Sequence, residues 1–217
     1  MFDIESCGQY KDWDSLCEND QKGSELFKRK FLKMKWDEKY SDINEAYLEN
    51  AGVISTWGKI CCISFGFIDN NGVKQIRSFY GEDEKDIVEK FNNLLINKIE
   101  KSQFKLSGFR ILYFDIPFIL HKLHKYNIKP APILYLYDKK PWETRIVDFA
   151  DDWKCKFAWA FSFDEVCHEL SVKSPKENMD GSQVHKEYWN GNLEGVKSYC
   201  EMDVDSSLEV AKIMYNY

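Results

Sequence analysis

The stretch that most restricts the fold is Met1-Phe2-Asp3-Ile4-Glu5, an apolar run at the start of the chain broken by two acids two positions apart. In an extended strand residues i and i+2 project from the same face, so Asp3 and Glu5 stand side by side. Burying such a pair costs several kcal/mol per ion unless a cation lies between them. Oxygen-only ligands suit hard ions such as Mg2+ or Mn2+ better than zinc. A frayed terminus with two solvated acids is the competing reading, and the choice depends on whether the rest of the chain supplies more ligands.

The 217 residues fit one domain carrying an insertion. Hydrophobic residues at 44% and aromatics at 16% are ample for a core, and 30% charged residues keep the surface polar. No apolar run approaches the roughly 18 to 20 residues of a membrane helix, and Asp3 excludes a secretory leader at the start, so a soluble cytoplasmic protein is expected. The seven cysteines show no Cys-x-x-Cys spacing, which points to reduced, packed thiols. A net charge of -6 argues against coating a long duplex, though not against a short strand held through metal.

Residues 7–50 are charged, with Lys28-Arg29-Lys30 among interleaved Leu26, Phe27, Phe31 and Leu32, and read as a helical insertion after the first strand. The basic cluster is either a phosphate contact or a solvated helix face. Trp57 to Ile68 is β-rich and ends in Asp69-Asn70-Asn71-Gly72, predicting a hairpin with 73–80. The spacing of Ile87, Val88, Phe91, Leu94, Leu95 and Ile99 predicts a helix over 84–99. A short strand over 104–109 precedes Phe114-Asp115-Ile116-Pro117, where proline suits a first helical turn and places Asp115 near the N-cap of a helix to about Tyr126. A plain cap explains Asp115 alone; an acid facing the sheet there also suits a metal-bound phosphate. Ile146 to Phe149 is a further strand, and Ser162-Phe163-Asp164-Glu165 is a capping box opening a helix. Residues 175–184 turn into another helix. The last helix, 193 to about 215, carries Tyr199 and Asp203 on one face, with Asp205 pointing well round it. The order of elements predicts an α/β fold with a central mixed five-stranded sheet flanked by helices.

Phe-Asp-Ile-Glu at 2–5, Phe-Asp-Ile-Pro at 114–117 and Tyr-x-x-x-Asp at 199–203 resemble the three ordered motifs of the DEDD 3'-5' exonucleases, proofreading enzymes with an RNase H-like fold. Tyr199 matches the tyrosine subtype; the histidine subtype has His where this chain has Ser198. The stretches from Trp57, Pro175-Lys176, Met179 to Val184 and 199–204, together with Trp36-Asp-Glu and Glu45-Ala-Tyr, resemble the predicted exonucleases related to the proofreading domain of family B DNA polymerases. The resemblance implies two Mg2+ or Mn2+ ions held by Asp3, Glu5, Asp115 and Asp203, with Tyr199 orienting or deprotonating the attacking water. It implies removal of nucleotides from single-stranded DNA 3' ends, free or beside a polymerase or repair complex. Processing of RNA oligonucleotides, or binding without catalysis, are the alternatives. Phe2, Phe114 and Phe118 are aromatic neighbours that either stack terminal bases or pack the core. Phe109 and Arg110 stand where the family often has a small polar pair such as His-Asn, a departure that bears on strand positioning.

Overall fold

A computed structural model describes residues 1–137, 139–140, 143–175 and 179–216. The chain runs β1 (Phe2–Gly8), α1 (Trp13–Asn19), α2 (Gln21–Lys33), α3 (Ile43–Asn50), β2 (Gly58–Ile68), β3 (Lys74–Tyr80) and α4 (Glu84–Leu94). It continues through β4 (Leu106–Gly108), α5 (Asp115–Lys125), β5 (Ile146–Asp148), α6 (Phe149–Lys154), α7 (Phe163–Glu169), α8 (Val184–Trp189) and α9 (Leu193–Tyr215). The mixed α/β layout and the order of elements match the expectation from periodicity. The helix expected over 84–99 is α4 followed by a wider π turn over 95–99. Lys176 lies outside the described residues, as does Pro141.

The five strands do not form one sheet. β1, β2 and β3 make an antiparallel sheet in that order, and β4 and β5 pair in parallel as a second. β4 packs beside β1, and its Gly108 sits so close that a Cβ there would meet the Phe2 carbonyl oxygen at 2.7 Å. No ladder joins them, and the reason is local. The Ile4 N–H that would serve β4 donates instead to Asp115 Oδ1 at 3.1 Å. The strand expected over 104–109 correspondingly shrinks to three residues.

Phe2 and Ile4 face one side of the larger sheet and join Ile63, Ile87, Phe91, Ile116 and Ile119 under α4 and α5. Each such side chain contributes about 1.5–3 kcal/mol by burial. The opposite side lies under α8 and α9. Along β1 the register steps from Glu5↔Cys62 to Ser6↔Ile60, leaving Cys61 as an extra residue. This bulge sends the consecutive Cys61 and Cys62 to the same side, into a cluster with Cys7, Val196, Tyr199 and Cys200. All seven cysteines are free thiols. The segment after β1 builds a core of its own, in which Phe27 packs against Trp13, Trp36, Tyr47 and Trp57. Lys28 and Arg29 are exposed on its outside, a solvated helix face. Among the described residues no helix is long and apolar enough to cross a membrane.

On the α4 side one carboxylate ties three elements together. Buried Glu84 accepts from Ile60 N–H of β2 at 2.7 Å and from Tyr126 Oη at 2.7 Å, and it pairs with Lys122 at 3.4 Å and Lys125 at 3.1 Å. Lys122 is itself buried and also donates to the carbonyls of Ser55 and Gly58. Removing the acid strands a buried ammonium and a strand N–H, so Glu84→Ala is expected to lower unfolding free energy by about 3–5 kcal/mol in urea denaturation. A loss below about 1 kcal/mol would show that the hub is dispensable.

Candidate active site

Asp3 and Glu5 emerge from β1 toward α9, the side opposite Phe2 and Ile4. Glu5 is buried and Asp3 half-buried. Asp115 is the first residue of α5 but does not cap it: the cap position is Phe114, with no side-chain cap bond. The buried Asp115 carboxylate turns back to the strand and accepts from Ile4. Its place near the helix start was foreseen, whereas the plain-cap reading fails. On α9, Tyr199 is buried and lies one turn before Asp203, whose charge acts on its phenol. Asp205 faces away and pairs with Lys74 of β3 at 2.6 Å. The five residues singled out from the sequence, Asp3, Glu5, Asp115, Tyr199 and Asp203, thus come from three distant segments to one place.

The electrostatics are those of crowded acids. Burial, followed by repulsion from Asp203, Asp115 and Glu5, raises the Asp3 carboxyl well above its usual range. Glu5 is raised likewise by burial, then by Asp203, Cys62 and Asp115. Asp115 is pushed up to about 7 by burial, against hydrogen bonds from its own N–H and that of Ile4, with Asp148 and Asp203 adding repulsion. Burial and the neighbouring acids also hold the Tyr199 phenol far above its ordinary range. Among the described residues, Asp3, Glu5 and Asp115 make no ion pair with Lys, Arg or His.

Three contributors were missed. Cys200 donates to the Asp3 carbonyl and to Oδ2, both at 3.6 Å, and its sulfur with one oxygen each of Asp3 and Glu5 form a group within 4.8 Å. Its position three residues before Asp203 was the available signal, since i and i+3 share a helix face. Cys62 lies beside Glu5 as its register partner on β2, a pairing that neither strand's own pattern shows. Asp148 accepts from the N–H groups of Arg110, Leu112 and Ala150 at 2.8, 3.0 and 3.1 Å, fixing the loop that leads into Asp115. Of the aromatics, Phe2 and Phe118 are core residues, 1% and 3% exposed, and cannot stack on a substrate as placed; Phe114 is half-buried.

Over residues 54–208 the chain matches the family described as predicted 3'-5' exonucleases related to the exonuclease domain of PolB. The chain belongs to this family. The matched span contains Asp115, Tyr199 and Asp203, while Asp3 and Glu5 precede it and are carried to it by the pairing of β1 with β2. The likeness noted over 36–47 also lies outside that span. No curated protein matches the chain. Among the described residues Asp3, Glu5 and Asp115 are carboxylates gathered out of water with no protein cation paired to them, a donor set that suits a hard divalent cation.

Crowding has a measurable sign in metal-free protein. Between about pH 4, where a carboxyl titrates in the unfolded chain, and about 7, the folded Asp115 keeps a proton that the unfolded chain releases. The stability this contributes is complete below about pH 4 and is lost as pH rises through 7. Asp115→Asn removes that titration while keeping an oxygen for Ile4. In thermal melts with chelator, its stability relative to the parent is expected to rise from pH 4 to 8. A pH-independent difference would refute the buried, proton-holding Asp115.

Proposed function

We propose that the protein is a divalent-metal-dependent exonuclease of the tyrosine subtype, built on an RNase H-like fold, that removes nucleotides from the 3' end of single-stranded DNA. The observation that carries this reading is the meeting of Asp3, Glu5 and Asp115, which among the described residues have no countercharge, beside Tyr199 and Asp203 on α9. Family membership supports the 3'-5' polarity. Asp3, Glu5, Asp115 and Asp203 would hold two Mg2+ or Mn2+ ions, which supply the positive charge that activates a water and stabilises the departing 3' oxygen. The chain's own part is to fix these oxygens rigidly. Asp115 is locked by Ile4 N–H, and Asp3 is held through Cys200.

Tyr199 keeps its proton across neutral pH because burial and the adjacent acids oppose phenolate formation. The role proposed for it is therefore to orient the attacking water. Tyr199→Phe deletes this one hydroxyl and is expected to slow single-turnover cleavage by about 10²- to 10⁴-fold. Metal affinity, read by calorimetry, should stay at the parental value. Cleavage at the parental rate would remove Tyr199 from the mechanism.

The reading as a whole is tested with end-labelled single strands of DNA and matched RNA. A 3' label should be released first, only with Mg2+ or Mn2+ present, and Asp3→Ala should abolish release while circular dichroism stays native. Full activity in excess chelator, or first release of a 5' label, would overturn it. Faster digestion of the RNA would transfer the activity to that substrate.

A further inference from the structure

The end of α6 and the stretch that follows it, Trp153-Lys-Cys-Lys-Phe-Ala-Trp-Ala-Phe161, contain four aromatics and two lysines and no acid, in a chain whose net charge is -6. Cys155 and Lys156 follow α6 with φ of 46° and 65°. Two successive non-glycine residues in the left-handed region end the helix and turn the chain outward. The consequence is unusual exposure of large apolar rings: Trp159 is 73% and Phe157 57% accessible. Phe157 stacks on Phe161 with centroids 6.0 Å apart and planes at 30°. A cavity of about 930 Å³ opens beside them, lined by Trp153, Lys154, Phe157, Phe161, His168 and Lys173 among others. That volume lies at the upper end of the range for small-ligand sites. The side-chain ammonium groups of Lys154 and Lys156 make no hydrogen bond or ion pair among the described residues.

The walls of the cavity are tied at two points to the elements that carry the acids. Arg110, five residues before Asp115, donates from its guanidinium to the Phe161 carbonyl at 2.8 Å. Ser206, three residues after Asp203 on α9, donates to the Lys173 carbonyl at 2.8 Å. Phe109 packs against Phe149 and Phe163, so the Phe109-Arg110 pair anchors this wall of the cavity.

We infer that residues 153–161 form a stacking platform that holds the bases of a single nucleic-acid strand whose 3' end enters the acidic centre. The inference deepens the exonuclease reading and rests on it. Exposed rings give sequence-tolerant stacking, and unpaired lysines meet the strand's phosphates. Asp164, Glu165 and Glu169 also line the cavity and repel phosphate, which leaves the lysines to meet the strand's backbone.

Binding is measured separately from cleavage, with fluorescein-labelled oligothymidylate in chelator, by anisotropy and by quenching of tryptophan emission. Trp159→Ala and Phe157→Ala, at exposed positions, should each weaken binding about 5- to 150-fold, the loss of one stacked base. Melting temperatures should match the parent. An oligonucleotide with abasic sites should bind the parent as weakly as intact oligothymidylate binds Trp159→Ala, and that variant should not distinguish the two. Equal affinity of parent and variants, or full affinity for the abasic strand, overturns the platform and leaves the patch to a protein partner. Failure of the parent to digest the same strand with Mg2+ would instead sink the exonuclease reading, while the binding comparison still decides the platform.

Discussion

The hydrogen bond from Ile4 N–H to Asp115 Oδ1 is the contact on which the rest of the structure turns. It joins residues 111 positions apart, and it does so at the edge where β1 would otherwise extend its sheet. That N–H is engaged and so is withheld from a β1–β4 ladder, and the strands divide into a sheet of three and a sheet of two. The same bond draws a carboxylate from the start of α5 to the strand that carries Asp3 and Glu5. A backbone donor beside a carboxylate favours its charged form, so this bond partly offsets the burial and repulsion that push Asp115 up to about 7. Sheet division and acid assembly are therefore one event.

What could be read from the sequence follows from what is local. The spacing of Asp3 and Glu5 decides their common face because the period of a strand is fixed, and Tyr199 and Asp203 share a face because the period of a helix is. The box at Ser162 is present as expected, with Ser162 and Glu165 capping each other. The hidden features are non-local. Cys61 and Cys62 share a side only because β1 skips a residue opposite them. α6 is a single short helix whose start depends on Asp148, a residue that reads as the end of a strand until its carboxylate is seen to accept from Ala150. Five strands are legible as five β-rich runs, but whether β1 and β4 share a ladder depends on which group takes one N–H, and no periodicity encodes that.

The two sides of the larger sheet resolve buried charge in opposite ways. Beneath α4 and α5, Glu84 faces Lys122 and Lys125 and fills its remaining capacity with a strand N–H and a tyrosine hydroxyl. Charge and hydrogen bonds close there, and the node serves only to hold elements together. Beneath α9, Asp3 and Glu5 meet Asp115 and Asp203, and burial with mutual repulsion raises Asp3, Glu5 and Asp115. An arrangement of this kind lowers stability in metal-free protein. It persists because the surrounding structure over-determines it: β1 is held by β2 along its whole length, α9 is capped by Asn192 and packed along the sheet, and Asp115 is fixed by Ile4. The closed node at Glu84 and the crowded acids lie on opposite sides of the sheet, so the elements are held together by a node separate from the one in which the acids repel.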